Sequence, residues 1–150
     1  AMTGWRLGYG IMPEALAERV QLLFTHALGS TAQFTQIAGV AALTGDQAAV
    51  AAMRAAYERR RDVLVSGFIN IPGVNCRKPQ GAFYVFPNVK AFGRPVDDLA
   101  NLLLEQAGVA VLPGTSFGAY GEGYLRLSFA NSIANLNTAV ARMAEVLGRL

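Results

Sequence analysis

Residues 113–130 read Pro-Gly-Thr-Ser-Phe-Gly-Ala-Tyr-Gly-Glu-Gly-Tyr-Leu-Arg-Leu-Ser-Phe-Ala, a glycine-dense loop followed by an alternating segment. From position 124 onward, apolar and polar residues alternate, which is the period of a β-strand with one buried face. The predicted buried face holds Leu125, Leu127 and Phe129, and the other face holds Tyr124, Arg126 and Ser128. The sequence therefore predicts a half-buried strand over 124–130, directly after a long loop.

Helices and further strands surround this segment. Val, Phe and Tyr are frequent at 82–89 and 108–112, which predicts two more strands. Between them, Pro95 opens a predicted helix at 96–106, and a last helix starts near Ser132. The apolar stripe of this last helix consists of Ile133, Leu136, Val140, Met143, Leu147 and Leu150. Strands that alternate with packing helices indicate the α/β class, with an α+β small domain over residues 68–150.

The first half of the chain is predicted to be mainly helical. A short strand at 5–11 precedes a helix at 13–26, and two further helices follow at 31–43 and 46–66. Capping boxes are expected to open these two helices, Ser30 with Gln33 and Thr44 with Gln47. A single strand cannot pair its own backbone groups, so the strand at 5–11 is expected to join a sheet outside this chain.

Composition excludes several classes of protein. The 150 residues are 53% hydrophobic and 15% charged, which excludes a disordered chain. The net charge of +3 includes the run 59–61 of arginines, but acids flank it, so a mixed-sign helix face is expected and no nucleic acid partner. No apolar run reaches the ~20 residues of a membrane span, and no secretory signal opens the chain, so a cytoplasmic protein without a membrane partner is expected.

Few residues suggest chemistry on their own. The single cysteine, Cys76, and the single histidine, His26, are interpreted as a core residue and a helix C-terminal residue, which leaves no metal site. The loop at 113–123 lacks the pattern of a P-loop or a dinucleotide fingerprint, yet it is longer than a hairpin needs. Arg126 is either a solvated edge residue or an anion-binding group, because its planar fork matches a carboxylate. No nucleophile is paired with a base, so no catalytic residue is predicted.

Three motifs in register resemble one family. The opening Ala-Met-Thr-Gly-Trp-Arg-Leu-Gly-Tyr at 1–9, Pro-Gln-Gly-Ala-Phe-Tyr at 79–84, and the Val-Leu-Pro-Gly to Leu-Arg-Leu-Ser-Phe-Ala signature at 111–130 are similar to segments of class I/II pyridoxal-phosphate aminotransferases of fold type I. The aspartate-aminotransferase-like branch is the most similar. The resemblance implies an enzyme that uses pyridoxal 5'-phosphate to transfer an amino group between an amino acid, such as aspartate, and a 2-oxo acid, as a homodimer.

The resemblance also implies roles for individual residues. Arg6 matches the arginine that binds the cofactor phosphate, Arg126 the arginine that binds the substrate α-carboxylate, and Phe117 an aromatic residue near the substrate. The family's Schiff-base lysine would lie before Ala1, and the only lysines are Lys78 and Lys90, at positions that do not match. This chain alone is therefore expected to be inactive.

The resemblance divides the chain into three parts. Residues 1–45 correspond to the end of the large cofactor-binding domain, 46–67 to a long connecting helix, and 68–150 to the small C-terminal domain. Two alternatives remain open. One is a C–S lyase or synthase with the same fold and cofactor, and the other is a stand-alone carboxylate-binding module.

Overall fold

The computed structural model describes residues 2–150, which form two compact units divided between Ala51 and Ala52. In the first unit, a 3-10 turn at Thr3–Trp5 is followed by helix α1, Glu14–Ala27, and helix α2, Gln33–Thr44. Pro13 directly precedes α1, where its missing N–H costs nothing. The helices predicted at 13–26 and 31–43 are thus present, with ends shifted by one or two residues.

The opening segment of this unit packs on α2. The side chain of Leu7 contacts Gly39, which is buried and has no Cβ to obstruct this approach. The Trp5 ring lies 6.5 Å from the ring of Phe34, measured between centroids. Many large apolar side chains of this unit remain exposed, among them Ile11, Leu16, Leu22, Leu23, Leu28, Phe34, Ile37, Val40 and Leu43.

Trp5 belongs to the 3-10 turn and not to the predicted strand at 5–11, and the sheet that this strand is expected to join lies outside the chain. Residues 6–13 belong to neither helix nor strand, and within residues 2–150 no strand pairs with them. An extended segment becomes a strand only through hydrogen bonds to a neighbour, which apolar content alone cannot supply.

Both predicted capping boxes are also wrong. Ala32, and not Ser30, is the N-cap of α2, and no side chain caps it. Thr44 is the last residue of α2, and its hydroxyl donates to the Val40 carbonyl at 2.9 Å. At the next helix, α3 (Ala48–Ile69), Asp46 Oδ1 accepts a hydrogen bond from the Ala48 N–H at 2.9 Å. A short carboxylate two residues before the first turn satisfies the same free N–H groups.

The second unit combines most of α3 with two more helices and a small sheet. Helix α4, Val96–Leu102, continues into a π-helical turn at Leu103–Ala107, and helix α5 spans Ile133–Leu147. The strands are β1 (Tyr84–Val85), β2 (Leu112–Pro113) and β3 (Leu125–Ser128). They form an antiparallel sheet in the order β1-β3-β2. This mixture of helices and a small sheet confirms the predicted fold class.

The outer strands are much shorter than the predicted segments at 82–89 and 108–112. Ala82 has a left-handed φ of 58°, which ends extended pairing before β1. Pro87 and Pro113 have no N–H to donate, so each takes part in its ladder only through its carbonyl or its register pairing: Pro87 accepts from the Leu125 N–H at 3.1 Å, and Pro113 pairs with Leu125. Beyond β1, Asn88 forms only isolated bridges, with Asn75 and with Tyr124.

The core of this unit follows the predicted alternation. Leu125, Leu127 and Phe129 are all buried, whereas Ser128 on the other face is exposed. Ser132 caps α5 by accepting from the Asn135 N–H at 3.1 Å, as expected for its predicted start. Of the predicted stripe, Leu136, Met143 and Leu147 are buried and Val140 is partly buried, whereas Ile133 and Leu150, which lies beyond the end of α5, are exposed. No described helix has both the length and the apolar content to cross a membrane.

Candidate functional site

Arg126 lies in the middle of β3 between two aromatic rings. Its guanidinium carbon is 4.3 Å from the ring centroid of Tyr84 and 3.9 Å from that of Phe117. The sheet brings Tyr84 to this place, because Tyr84 pairs with Ser128, two residues along the strand and on the same face as Arg126. At these distances the two contacts are cation–π interactions, and together they restrict the rotation of the guanidinium.

The rings determine where Arg126 can bind a ligand. Both ring centroids lie within 4.3 Å of the guanidinium carbon, whereas the N–H donors of a guanidinium project outward in its plane. An edge with parallel N–H groups matches the two oxygens of a carboxylate. Arg126 takes part in none of the ion pairs found among residues 2–150, so no protein carboxylate neutralises it there. The arrangement is suited to an external anion, which is one of the two interpretations that the sequence left open.

The glycine-rich loop supports Phe117. The backbones of Gly114 and Gly121 are in direct contact, an approach that any Cβ would block. Thr115 Oγ1 donates to Asp97 Oδ2 at 3.2 Å, and Glu122 Oε1 accepts from the Val96 N–H at 3.0 Å, so the loop is bound to the start of α4. Because this loop is anchored at both ends, Phe117 can be held over Arg126 although its ring is half-exposed.

The same loop does not have the geometry of a phosphate cradle. Four of its N–H groups, those of Gly114, Gly118, Gly121 and Glu122, and the N–H of Tyr124 directly after it donate to backbone carbonyls of residues 115–124. A cradle needs several N–H groups that point together at the ligand. The unusual length of the loop therefore serves to position a side chain, and its amides are used internally.

Arg6 belongs to the first unit and is described by itself. Its side chain is exposed, and its Nη1 donates to the Thr3 carbonyl at 3.3 Å, which leaves other N–H donors for a ligand. The φ of Arg6 is 51°, in the left-handed region. Such a backbone costs a non-glycine residue of the order of 1 kcal/mol and is frequent at binding sites.

Both lysines of the chain already have partners. Lys78 Nζ lies 2.9 Å from Asp62 Oδ1, and Lys90 Nζ lies 5.2 Å from the ring centroid of Tyr124. The interpretation of Cys76 as a core residue is confirmed, since it is buried. Burial raises the pKa of its thiol to about 11, so almost none of it is the nucleophilic thiolate at neutral pH. His26 lies in the last turn of α1, as predicted.

Sequence reasoning brought together Arg126 and Phe117 but missed two neighbouring aromatic residues. Tyr84 covers the other side of the guanidinium, and Phe86 meets the Phe117 ring edge-on, with centroids 5.9 Å apart. Both residues lie in or just after the Pro79–Tyr84 motif, which was noted for its resemblance only. Their places at the site depend on the pairing of β1 with β3.

Comparison with known proteins identifies the family. Residues 1–143 match the family described as aminotransferase class I and II. The chain is 42% identical to an aspartate aminotransferase of Pyrococcus horikoshii over 98% of this chain and 38% of that protein. An aspartate aminotransferase of Geobacillus stearothermophilus is 41% identical over 95% of this chain and 37% of its own length.

Solved structures agree with this result. The crystal structure of an aromatic aminotransferase from Pyrococcus horikoshii superposes with a TM-score of 0.92 and 37% identity, over 99% of this chain and 40% of that one. The aspartate aminotransferase of Rhizobium meliloti gives a TM-score of 0.90 and 36% identity, over 99% and 39%. The chain thus spans about two fifths of the length of the relatives that it matches. With a family match over nearly its whole length and the same fold, the chain belongs to the aminotransferase class I and II family.

Proposed function

We propose that this chain is the C-terminal part of a pyridoxal-phosphate-dependent aminotransferase that transfers an amino group between an amino acid, such as aspartate, and a 2-oxo acid. The observation that carries the proposal is Arg126, whose guanidinium lies between Tyr84 and Phe117 with no ion-pair partner among residues 2–150. Both substrates of such a reaction carry a carboxylate beside the reacting carbon. A single rigid arginine can therefore bind each of them in turn.

Arg126 would act by binding and orientation. Two parallel N–H···O bonds to the α-carboxylate determine the position of the carboxylate and also its plane. Since the rings of Tyr84 and Phe117 restrict the guanidinium, little rotational freedom remains to be lost when substrate binds. A correctly oriented substrate places its reacting bond in the same position at each turnover, which is a large part of enzymatic rate enhancement.

The chain offers one group for the cofactor. When bound, pyridoxal phosphate supplies an electron sink for the reacting carbon. Arg6 would hold its phosphate, because a guanidinium matches a phosphate as it does a carboxylate and Arg6 is exposed. Lys78 and Lys90 are bound elsewhere in the second unit, so the lysine that carries the cofactor would come from residues outside this chain. On this proposal, the 150 residues alone do not catalyse transamination.

The proposed organisation has three parts. Residues 1–45 form the end of a large domain, residues 46–67 a connecting helix, and residues 68–150 a small domain. Two observations support it. α3 is a single helix of 22 residues, and the exposed apolar side chains of the first unit have the character of a domain interior. We further propose that the complete enzyme is a homodimer.

Product analysis in the holoenzyme that contains this chain tests the function. We expect an amino acid and a 2-oxo acid to exchange their amino group with equal amounts of the two products formed. Release of ammonia with a 2-oxo acid, without an acceptor, would instead indicate a lyase of the same fold. Carboxylate binding by the 150-residue chain alone, combined with no turnover in the holoenzyme, would indicate a binding module.

A further inference from the structure

A cluster of charged residues outside the proposed substrate site supports the segment that leads to Tyr84, one of the two aromatic residues beside Arg126. The Arg61 side chain, on α3, is only 15% exposed, unlike a typical surface arginine. Its Nε donates to Asp62 Oδ1 at 2.8 Å, its Nη2 to Glu58 Oε1 at 3.2 Å, and its Nη1 to the backbone carbonyl of Pro79 at 3.3 Å. The first two bonds orient the guanidinium, and the third extends from the helix to a distant part of the chain.

A second bond reinforces this connection. Lys78 Nζ lies 2.9 Å from Asp62 Oδ1, the same oxygen that accepts from Arg61. Two consecutive residues, 78 and 79, are therefore bound to one turn of α3. The two cations keep the pKa of the Asp62 carboxyl below its usual value, mainly through their hydrogen bonds, so Asp62 stays ionised at neutral pH.

The segment after this anchor is short and strained. Gln80 and Gly81 are exposed, and Ala82 has a left-handed φ of 58°, which an alanine adopts only when its surroundings impose it. The next anchor follows immediately, because the Phe83 carbonyl accepts from the Phe129 N–H at 2.9 Å. The turn is thus held at both ends, by α3 on one side and by the sheet on the other.

This turn leads directly to Tyr84, one of the two aromatic residues beside Arg126. Phe83 packs against Tyr84 with ring centroids 4.4 Å apart and also lies 6.3 Å from Tyr57 of α3. Tyr84 in turn lies over the guanidinium of Arg126. A displacement of the turn would therefore move the ring that restricts Arg126.

We propose that Arg61 is a positioning residue for substrate binding: by holding the Pro79 carbonyl on α3, it fixes the turn at 79–83 and keeps Tyr84 on Arg126. This inference rests on the proposed function in that Arg126 binds the substrate carboxylate. Arg61 itself does not touch substrate. Its effect is on how well Arg126 is held ready for the carboxylate, and so on affinity more than on chemistry.

The test compares Arg61→Met with Arg59→Met in the holoenzyme. Arg59 is the matched control, since it lies on the same helix, is exposed, and is absent from the ion pairs of residues 2–150. We expect Arg61→Met to raise KM for the amino acid about three- to tenfold, the effect of about one hydrogen bond, with kcat within about twofold and cofactor content unchanged. Arg59→Met should change none of these quantities.

A second readout does not depend on catalysis. Deuterium exchange at the Phe129 amide, which donates to Phe83, should be faster in Arg61→Met than in Arg59→Met. Arg61→Lys should show the same rise in KM with a smaller loss of thermal stability. A lysine keeps the charge beside Glu58 and Asp62, but its single ammonium lacks the fork that also reaches Pro79.

Three results would overturn the inference. The first is equal KM and equal exchange in Arg61→Met and Arg59→Met. The second is a loss of cofactor from Arg61→Met that accompanies its rise in KM. The third is a wild-type KM in Arg61→Lys. Arg126→Lys is measured beside these variants. If it leaves KM unchanged while Arg61→Met still speeds exchange at Phe129, the proposed role of Arg126 fails and the anchoring by Arg61 stands.

Discussion

Replacing Arg126 by lysine tests the proposed site most directly. The substitution keeps the positive charge and removes the planar fork that lies between Tyr84 and Phe117. A charge-assisted hydrogen bond contributes about 1.5–3 kcal/mol. Since about 1.4 kcal/mol corresponds to a factor of ten in rate, kcat/KM for the amino acid should fall roughly 10- to 150-fold. Arg126→Ala should cost more, because the bound carboxylate then has no cationic partner.

The structure also predicts an effect of these substitutions on stability, which does not depend on charge alone. Arg126 makes two cation–π contacts, each worth about 0.5–1 kcal/mol at a partly exposed site. Lysine can lie over one ring, but its ammonium cannot fill the space between two rings as a flat guanidinium does. We therefore expect Arg126→Lys to lower the thermal stability of the holoenzyme slightly, and Arg126→Ala to lower it further.

Initial rates with varied amino acid, together with cofactor content from absorbance, provide the assay. Arg59→Lys is the control, because it makes the same chemical change at an exposed position. Cofactor content should stay at the wild-type level in both Arg126 variants, since the proposed phosphate contact belongs to Arg6. The reasoning is refuted if Arg126→Ala keeps kcat/KM within about threefold of wild type, or if its main effect is loss of cofactor.

Three further predictions concern the fold. Ser132→Ala removes the side-chain cap of α5 and should reduce the free energy of unfolding by about 1 kcal/mol in denaturant titrations, whereas Ser30→Ala, which removes no cap, should have no measurable effect. Gly114→Ala places a Cβ against two backbone carbonyls and should lower the melting temperature clearly, by more than Gly81→Ala, where a Cβ meets open space; equal melting temperatures would contradict this account of the loop. Cys76 should resist thiol reagents at pH 8, with only about one thiol in a thousand ionised in the folded state. Because burial raises the pKa of this thiol from its ordinary value of 9.0 to about 11, its contribution to stability is complete below pH 9 and should be lost as the pH rises toward about 11. Rapid labelling of the folded protein at pH 8 would contradict the raised pKa.

Features that depend on near neighbours in the chain could be predicted from the sequence. The alternation at 124–129 correctly assigned the buried face of β3, and Ser132 correctly marked the start of α5. Both signals are local, since a strand period and a cap involve residues at most a few positions apart. The family resemblance, carried by motifs of consecutive residues, is confirmed for the same reason.

Local signals failed where two of them competed or where a distant partner was needed. Around α2 and α3, Ser30, Thr44 and Asp46 are all of residue types that cap helices, and only the position of each first turn decides that Asp46 accepts from an N–H at the start of α3 while α2 has no side-chain cap. At 5–11, the strand composition did not reveal that Trp5 closes a 3-10 turn, and the pairing of the remaining residues is expected to depend on a sheet outside this chain.

The sequence by itself determined that Arg126 stands on the polar face of a strand beside a long glycine-rich loop. It could not decide between a solvated edge residue and an anion-binding group, because alternation assigns a face and says nothing about what covers that face. The tertiary structure decided what surrounds the side chain: β1 brings Tyr84 to one side of the guanidinium, and the anchored loop brings Phe117 to the other. The physical reason is that cross-strand neighbours follow from register, and register is set by hydrogen bonds and packing between segments far apart in the chain.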